Sequence, residues 1–310
     1  MNKAISVIVP VYKEEENIRP FLDRLEPVLK NLAMPCEIVF VLDPSTDQSE
    51  HVILEEIERN PAIKMLVMSR RFGQAAATMA GIMSCSGDWC VVIDVDLQDP
   101  PELIQDMYEK LQDGYEVVYA TRRSRKGENF IKEKISSLGY AVIDKVSEVP
   151  IPRDTGDFRI MTRRVVDELR ILNESHVFLR GLVAYVGFRQ TKVEYDRDER
   201  YSGRGKYNHF TGSLRIGLNG LIGFSRRPLQ LMAITGTIVA LFSFVLGGWY
   251  VLQKLLGFDL TPGLSTTILV VTFFSGVQLL ALGLVGEYVG RIYDEVKNRP
   301  RYIVDRRINF

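Results

Sequence analysis

The chain is poor in the side chains that most often bind metals or cross-link small domains. Its 310 residues include three histidines, three cysteines and two tryptophans. Cys36, Cys85 and Cys90 are odd in number and form no Cys-x-x-Cys pair. That excludes a disulfide framework or a zinc ribbon and fits small buried thiols in a reducing compartment. No histidine has metal-ligand spacing to another. Glycine-rich nucleotide signatures are also missing: no strand runs into Gly-x-Gly-x-x-Gly, and no Gly-x-x-x-x-Gly-Lys-Ser/Thr occurs. A dinucleotide-binding fold and a P-loop nucleotidase are therefore disfavoured. Neither sign of charge is in excess, Lys+Arg and Asp+Glu both being 39. Bulk charge gives no support to a nucleic-acid partner. The opening "MNKAISVIVPVYKEEENI" turns charged too soon after a short apolar run to read as a secretory signal.

What is present is unevenly distributed. Residues 1–227 are mixed and charged, but no charge occurs between Arg227 and Lys254 or between Asp259 and Glu287. Both gaps exceed the ~20 residues that cross a bilayer core as a helix. Small Gly and Ser residues and the aromatic end Trp249-Tyr250 favour a pair of transmembrane helices over buried core helices. Arg226-Arg227 precede the first span and Arg291, Lys297, Arg299, Arg301, Arg306 and Arg307 follow the second, while the connector "KLLGFD" holds one lysine. The positive-inside rule then puts both termini in the cytoplasm and the connector outside. The expected order is a cytoplasmic catalytic domain (1–205), a juxtamembrane amphipathic helix (206–227), two transmembrane helices (228–290) and a cytoplasmic tail (291–310).

The first 120 residues alternate apolar runs with amphipathic stretches. Strands are expected at "ISVIVPVY", "CEIVFVLD", "IKMLVMS", "WCVVIDVD" and "YEVVYATR", with helices between them. Near-continuous apolar strands separated by helices predict a parallel sheet covered on both faces. Ligands bind such sheets beyond the carboxyl ends of the strands. Tyr12, Glu14, Asp43, Ser69, Arg70, Asp94, Asp96 and Arg122 all fall there. After residue 122 the alternation lapses. The segment 129–149 has near-helical apolar spacing that suits a core-facing or an interfacial helix, and 208–225 suits the interface. The run "RYIV" in the tail is strand-like, and an exposed terminal strand invites pairing with another chain, so a homo-oligomer is expected.

The stretch "VIDVDLQDPPE" carries the densest chemistry. An unpaired carboxylate at the end of a buried strand is costly. Mg²⁺ or Mn²⁺, held by one or two carboxylates together with substrate phosphates, relieves that cost at Asp94 and Asp96. Asp99, before Pro100-Pro101, reads as the cap of the next helix.

With "SVIVPVYKEEENI", "VLDPSTDQS", "SRRFGQAAATMAG", "YATRRSR" and "TGDFRIMTRR", that stretch resembles glycosyltransferase family 2. The two C-terminal spans make the chain similar to its polyprenyl-phosphate glycosyltransferases, bacterial bactoprenol glucosyltransferases and dolichyl-phosphate mannose synthases among them. The resemblance covers almost the whole chain. It implies a GT-A-type, mostly parallel sheet with helices on both faces. It further implies a nucleotide-sugar donor, UDP-glucose above others, and a polyprenyl (undecaprenyl) phosphate acceptor at the inner (plasma) membrane. Pro10, Tyr12, Glu14, Asp43, Asp94 and Gln98 would bind the nucleotide sugar, and Asp94 and Asp96 the metal. Asp157, Asp96 and Arg122 would form the catalytic set. Arg200, Arg204 and Lys206 in "RYSGRGKY" would meet the acceptor phosphate.

Two positions depart from the family pattern. "DPSTD" keeps one leading Asp where Asp-Asp-Gly-Ser is usual, and Gly205-Lys206 replaces Ser-Lys. Mannose, GlcNAc or an aminoarabinose derivative remain open as the sugar. A processive polysaccharide synthase would carry Gln-x-x-Arg-Trp, and neither Trp89 nor Trp249 sits in that context. A non-catalytic membrane scaffold would not need Asp94, Asp96 and Arg122 intact. Asp157 is open between orienting a substrate and pairing with Arg159 or Arg163.

Overall fold

The computed structural model describes residues 3–123, 155–172, 174, 178–196, 227–256 and 263–310. Alternating elements build its first part: β1 (Ile5–Val11), α1 (Ile18–Asn31), β2 (Cys36–Leu42), α2 (Ser49–Arg59), β3 (Ile63–Met68), α3 (Gln74–Ser84), β4 (Trp89–Val92), α4 (Leu103–Gln112) and β5 (Val117–Arg122). There follow β6 (Thr155–Thr162), α5 (Arg163–Ile171), α6 (Leu179–Val186), β7 (Gln190–Tyr195), α7 (Arg227–Leu255), α8 (Leu264–Lys297) and β8 (Val304–Ile308). The chain divides into two compact units: the sheet and its helices together with the tail from Pro300, and the long helices α7 and α8.

One eight-stranded sheet runs in the order β7-β5-β6-β4-β1-β2-β3-β8. The expected parallel core is there: β1 pairs with β2 and β4, and β2 with β3, all parallel. Its side chains explain why. Ile5, Val7, Ile8 and Val9 of β1 and Val39, Phe40 and Val41 of β2 are fully buried, as strands covered on both faces must be. The helices supply the cover. Ile18, Phe21, Leu22, Leu25, Val28 and Leu29 of α1 recur at helical spacing and are all buried. On α3 the approach is closest at Gly81, where an added Cβ would lie 2.2 Å from Ile8 Cγ2.

The other half of the sheet departs from the sequence reading. Strand β6 inserts between β4 and β5 and runs antiparallel to both, so the fifth strand does not pair with the fourth. β7 then adds parallel to β5. The run "TGDFRIMT" escaped detection because Arg159 interrupts its apolar pattern, yet Arg159 is buried. The tail strand lies at 304–308, beginning at the last residue of "RYIV", and pairs antiparallel with β3 of its own chain. Its residues Asp305, Arg306 and Arg307 put charge on the resulting sheet edge, which discourages further pairing. The tail strand thus has a partner within its own chain.

Two helices, over Arg227–Gln253 and Val270–Lys297, are long and apolar enough to cross a membrane, and neither is buried. Phe242, Phe244, Val245, Leu279, Leu280 and Leu282 are exposed on them. α8 continues to Lys297, past the expected end of the span at residue 290. The expected boundaries at 205 and 206, the helices at 129–149 and 208–225, and Arg200, Arg204 and Lys206 lie outside the described residues.

Candidate functional site

The carboxyl ends of the parallel strands and the amino end of β6 come together. β6 runs antiparallel, with Thr155 opposite Thr121 at the end of β5 and Arg159 opposite Val92 at the end of β4. Its first residues therefore overhang the loop that follows β4. That register is what carries Asp157 to Asp94, although the two are far apart in sequence.

A cavity of about 140 Å³ opens there, and its lining includes Pro10, Tyr12, Glu14, Asp43, Asp94 and Asp96. A larger groove of about 390 Å³, with Glu26, Lys30, Met34, Cys36 and Asn60 on its walls, lies at the amino end of the strands. It gathers no converging strand-end groups, so the smaller cavity is the candidate site. Arg71 and Gln74 also line the smaller cavity and were missed in the sequence.

β4 ends at Val92, two residues short of Asp94, so both carboxylates of the Asp-x-Asp pair belong to the following loop. Gln74, the first residue of α3, donates from Nε2 to Asp94 Oδ1 at 2.8 Å. Asp96 is buried and accepts the backbone N–H of Gln98 at 3.2 Å. Between them Leu97 takes a φ of 59°, a left-handed conformation rare for a leucine. Lys13, between Tyr12 and Glu14, has a φ of 57°.

Asp43 accepts from the backbone N–H groups of Phe72 at 3.1 Å and Gly73 at 2.7 Å. It thus fixes the loop from which the Arg71 guanidinium lies 4.0 Å over the Tyr12 ring. Glu14 accepts the Asn17 amide at 2.5 Å.

Asp99 does not cap the next helix. The residue at that cap is Glu102, while Asp99 is buried and accepts the hydroxyl of Tyr195 from β7. Tyr195 lies opposite Arg122 in the β5–β7 pairing, and burial followed by the Asp99 charge pushes its phenol above the ordinary range. Arg122 also interacts with that phenol, and its Nε is buried without a hydrogen-bond partner among the described residues.

The Asp157 carboxylate accepts from Arg180 Nε at 3.0 Å and lies 3.8 Å from Arg159 Nη2. Of its two expected partners only Arg159 is near; Arg163 donates instead to the Gly87 carbonyl. Burial raises the Asp157 carboxyl, but Arg180, Arg159 and Arg122 outweigh it and hold the group below its ordinary value. Asp94 is displaced the other way, first by burial and then by the charges of Asp157, Asp99 and Asp96. Two carboxylates at one site with opposite displacements mark a place where charge is managed closely.

Among the described residues no three His, Cys, Asp or Glu side chains form a metal-binding group. A divalent cation would rest on Asp94 and Asp96, with its other ligands from a bound phosphate and water. The crowding of negative charge on Asp94 fits such a cation, because its presence would relieve what raises that carboxyl.

Comparison with known proteins agrees with this arrangement. The family model described as Glycosyl transferase family 2 matches residues 6–170. An uncharacterized glycosyltransferase of Bacillus subtilis, YkcC, is 44% identical over 301 residues, covering 97% of this chain and 93% of that protein. The bactoprenol glucosyl transferase of Shigella phage SfII is 37% identical over 302 residues and 97% of each chain. Among solved structures, glucosyl-3-phosphoglycerate synthase from Mycobacterium tuberculosis, in complex with Mn²⁺, UDP-glucose and phosphoglyceric acid, superposes with a TM-score of 0.51. It is 17% identical and matches over 71% of this chain and 78% of its own, a likeness of fold. The chain belongs to glycosyltransferase family 2 and is a glycosyltransferase with a GT-A-like mixed α/β sheet.

Proposed function

We propose that the protein transfers a hexose from a nucleotide sugar, UDP-glucose by preference, to polyprenyl phosphate at the cytoplasmic face of a membrane. The observation that carries this is the meeting of Asp94 and Asp96 with Asp157 at the carboxyl end of the sheet, in a chain that also holds two long, exposed apolar helices. The bactoprenol glucosyl transferases, alike over nearly the full length, support a lipid acceptor. The pairing of β8 with β3 supports one side for both flanks of the hairpin, since β7 before α7 and β8 after α8 belong to the same sheet.

The chemistry follows from the two substrates. The acceptor is a phosphate monoester with a second pKa of ~6, largely dianionic at neutral pH, so its oxygen is already a nucleophile. That oxygen attacks the anomeric carbon as the bond to the nucleoside diphosphate breaks, and the configuration inverts. No proton needs to be removed. Asp157, held ionised by its arginines, orients the sugar or the acceptor and is not required as a strong base. Asp94 and Asp96 would hold a divalent cation, Mg²⁺ or Mn²⁺, which would supply countercharge to the leaving diphosphate. Pro10, Tyr12, Glu14, Asp43 and Gln98 bind the nucleotide end, and Arg122 meets phosphate. Arg200, Arg204 and Lys206 receive the acceptor headgroup.

The test is a panel of labelled UDP- and GDP-sugars with undecaprenyl phosphate and the detergent-solubilised full chain. Label entering the lipid fraction from UDP-glucose supports the reading; label from a different sugar corrects the donor. Release of free sugar alone, whatever the donor, overturns the lipid acceptor.

A further inference from the structure

Four carboxylates crowd the place where the proposed acceptor phosphate must arrive. Asp94, Asp96, Asp99 and Asp157 are close enough that the last three act on the first. A phosphate dianion approaching Asp157 meets repulsion unless a cation stands beside that carboxylate. Arg159 is committed elsewhere: its side chain is 4% exposed, and it donates to the backbone carbonyls of Asp157 at 3.1 Å and Gly156 at 3.0 Å. It acts as a fixed brace for the strand.

Arg180 is placed differently. It sits on the first turn of α6, whose neighbours Leu179, Gly181, Leu182 and Val183 are buried and hold the helix in place. Its side chain is 29% exposed. Its Nε lies 3.0 Å from Asp157 Oδ1, and its charge also reaches Asp94. A planar guanidinium can be shared between a carboxylate and a phosphate, which an ammonium does less well.

We propose that Arg180 is a positioning residue for the acceptor phosphate: it neutralises Asp157 in the resting site and is shared between Asp157 and the phosphate once the acceptor arrives. The proposal rests on the reading of the chain as a polyprenyl-phosphate glycosyltransferase.

The experiment compares full-length wild type, R180A, R180Q and R180K in detergent micelles. It reads the KM for undecaprenyl phosphate, the affinity for UDP with Mn²⁺, and the melting temperature. Removal of the cation in R180A and R180Q raises the acceptor KM ~10- to 100-fold, the worth of one charge-assisted hydrogen bond. UDP affinity stays within about twofold, and R180K recovers part of the loss. R180Q keeps hydrogen-bond donors without the charge, so the comparison survives if R180A fails to fold. An unchanged acceptor KM in R180Q, or an equal loss of UDP affinity, overturns the role of Arg180 alone. A wild type that delivers no sugar to undecaprenyl phosphate overturns the parent reading and this proposal with it.

Discussion

The Gln74 amide lies 2.8 Å from Asp94 Oδ1 and so couples the start of α3 to the loop after β4. Asp94 is otherwise crowded by like charge, and the amide donor fixes where its carboxylate points. Removing an outer partner of a metal-binding group typically costs ~10- to 100-fold in metal affinity or activity. Q74A is expected to lower transfer by that order and raise the Mn²⁺ concentration needed for half-maximal rate, with little change in melting temperature. A metal titration of the rate measures both.

Gly81 carries a packing prediction free of any functional assumption. An added methyl there would stand 2.2 Å from Ile8 Cγ2 and 3.1 Å from Val41 Cγ2, inside the seam between α3 and the sheet. Overpacking of this kind costs ~1–3 kcal/mol. G81A is expected to lower the denaturation midpoint accordingly.

The buried network around Glu37 sets a pH dependence of stability. Glu37 accepts from Ser6 Oγ at 2.5 Å, Lys64 Nζ at 2.7 Å and Ser86 N at 2.6 Å, joining three strands and the end of α3. Burial raises its carboxyl, but these donors outweigh burial and bring it down from 4.5 to about 2. A carboxylate with a depressed folded pKa stabilises the fold above its unfolded pKa and loses that contribution as pH falls through the folded value. The account predicts a loss of at most ~3 kcal/mol between about pH 4.5 and pH 2, and a shallower acid limb in E37Q. Melting curves across that range decide it.

Much of the sheet was legible because buried parallel strands advertise themselves as apolar runs. β1, β2 and β3 fall within a residue of their expected ends, and the buried residues of α1 recur at helical spacing. β6 was not legible, since Arg159 and Gly156 break its pattern and only the braced arginine explains how such a strand is buried. For the same reason Arg180 was missed: nothing in "VFLRGL" signals a partner in β6, and only the fold brings them together. Tyr195 was hidden similarly, so Asp99 read as a helix cap when it is a buried member of the site. Tyr12, Asp43, Asp94 and Asp96 could be placed in advance because they follow the carboxyl ends of the neighbouring parallel strands β1, β2 and β4.

The tail is a further point where local pattern and topology diverge. β8 pairs with β3, Arg306 reaches Glu50 at 2.8 Å, and Asn309 donates to the carbonyls of Pro61 and Ile63. Ile303 accepts from Ser69, immediately before the loop that Asp43 holds beside the cavity. Truncation after Pro300 is expected to lower the melting temperature by several degrees, uncover the β3 edge and weaken UDP binding. Calorimetry on the truncated full-membrane chain tests this, and unchanged UDP affinity would separate the tail from the pocket.

The central claim is that Asp96, with Asp94, carries cation-dependent sugar transfer to a lipid phosphate. Its most direct measurement is the rate at which label from UDP-glucose enters undecaprenyl phosphate with Mn²⁺, for wild type and D96A side by side. The account predicts rapid labelling by wild type, abolished by chelation, and a loss of at least ~1000-fold in D96A with its melting curve preserved. Wild-type rates from D96A, or labelling that persists under chelation, would contradict it.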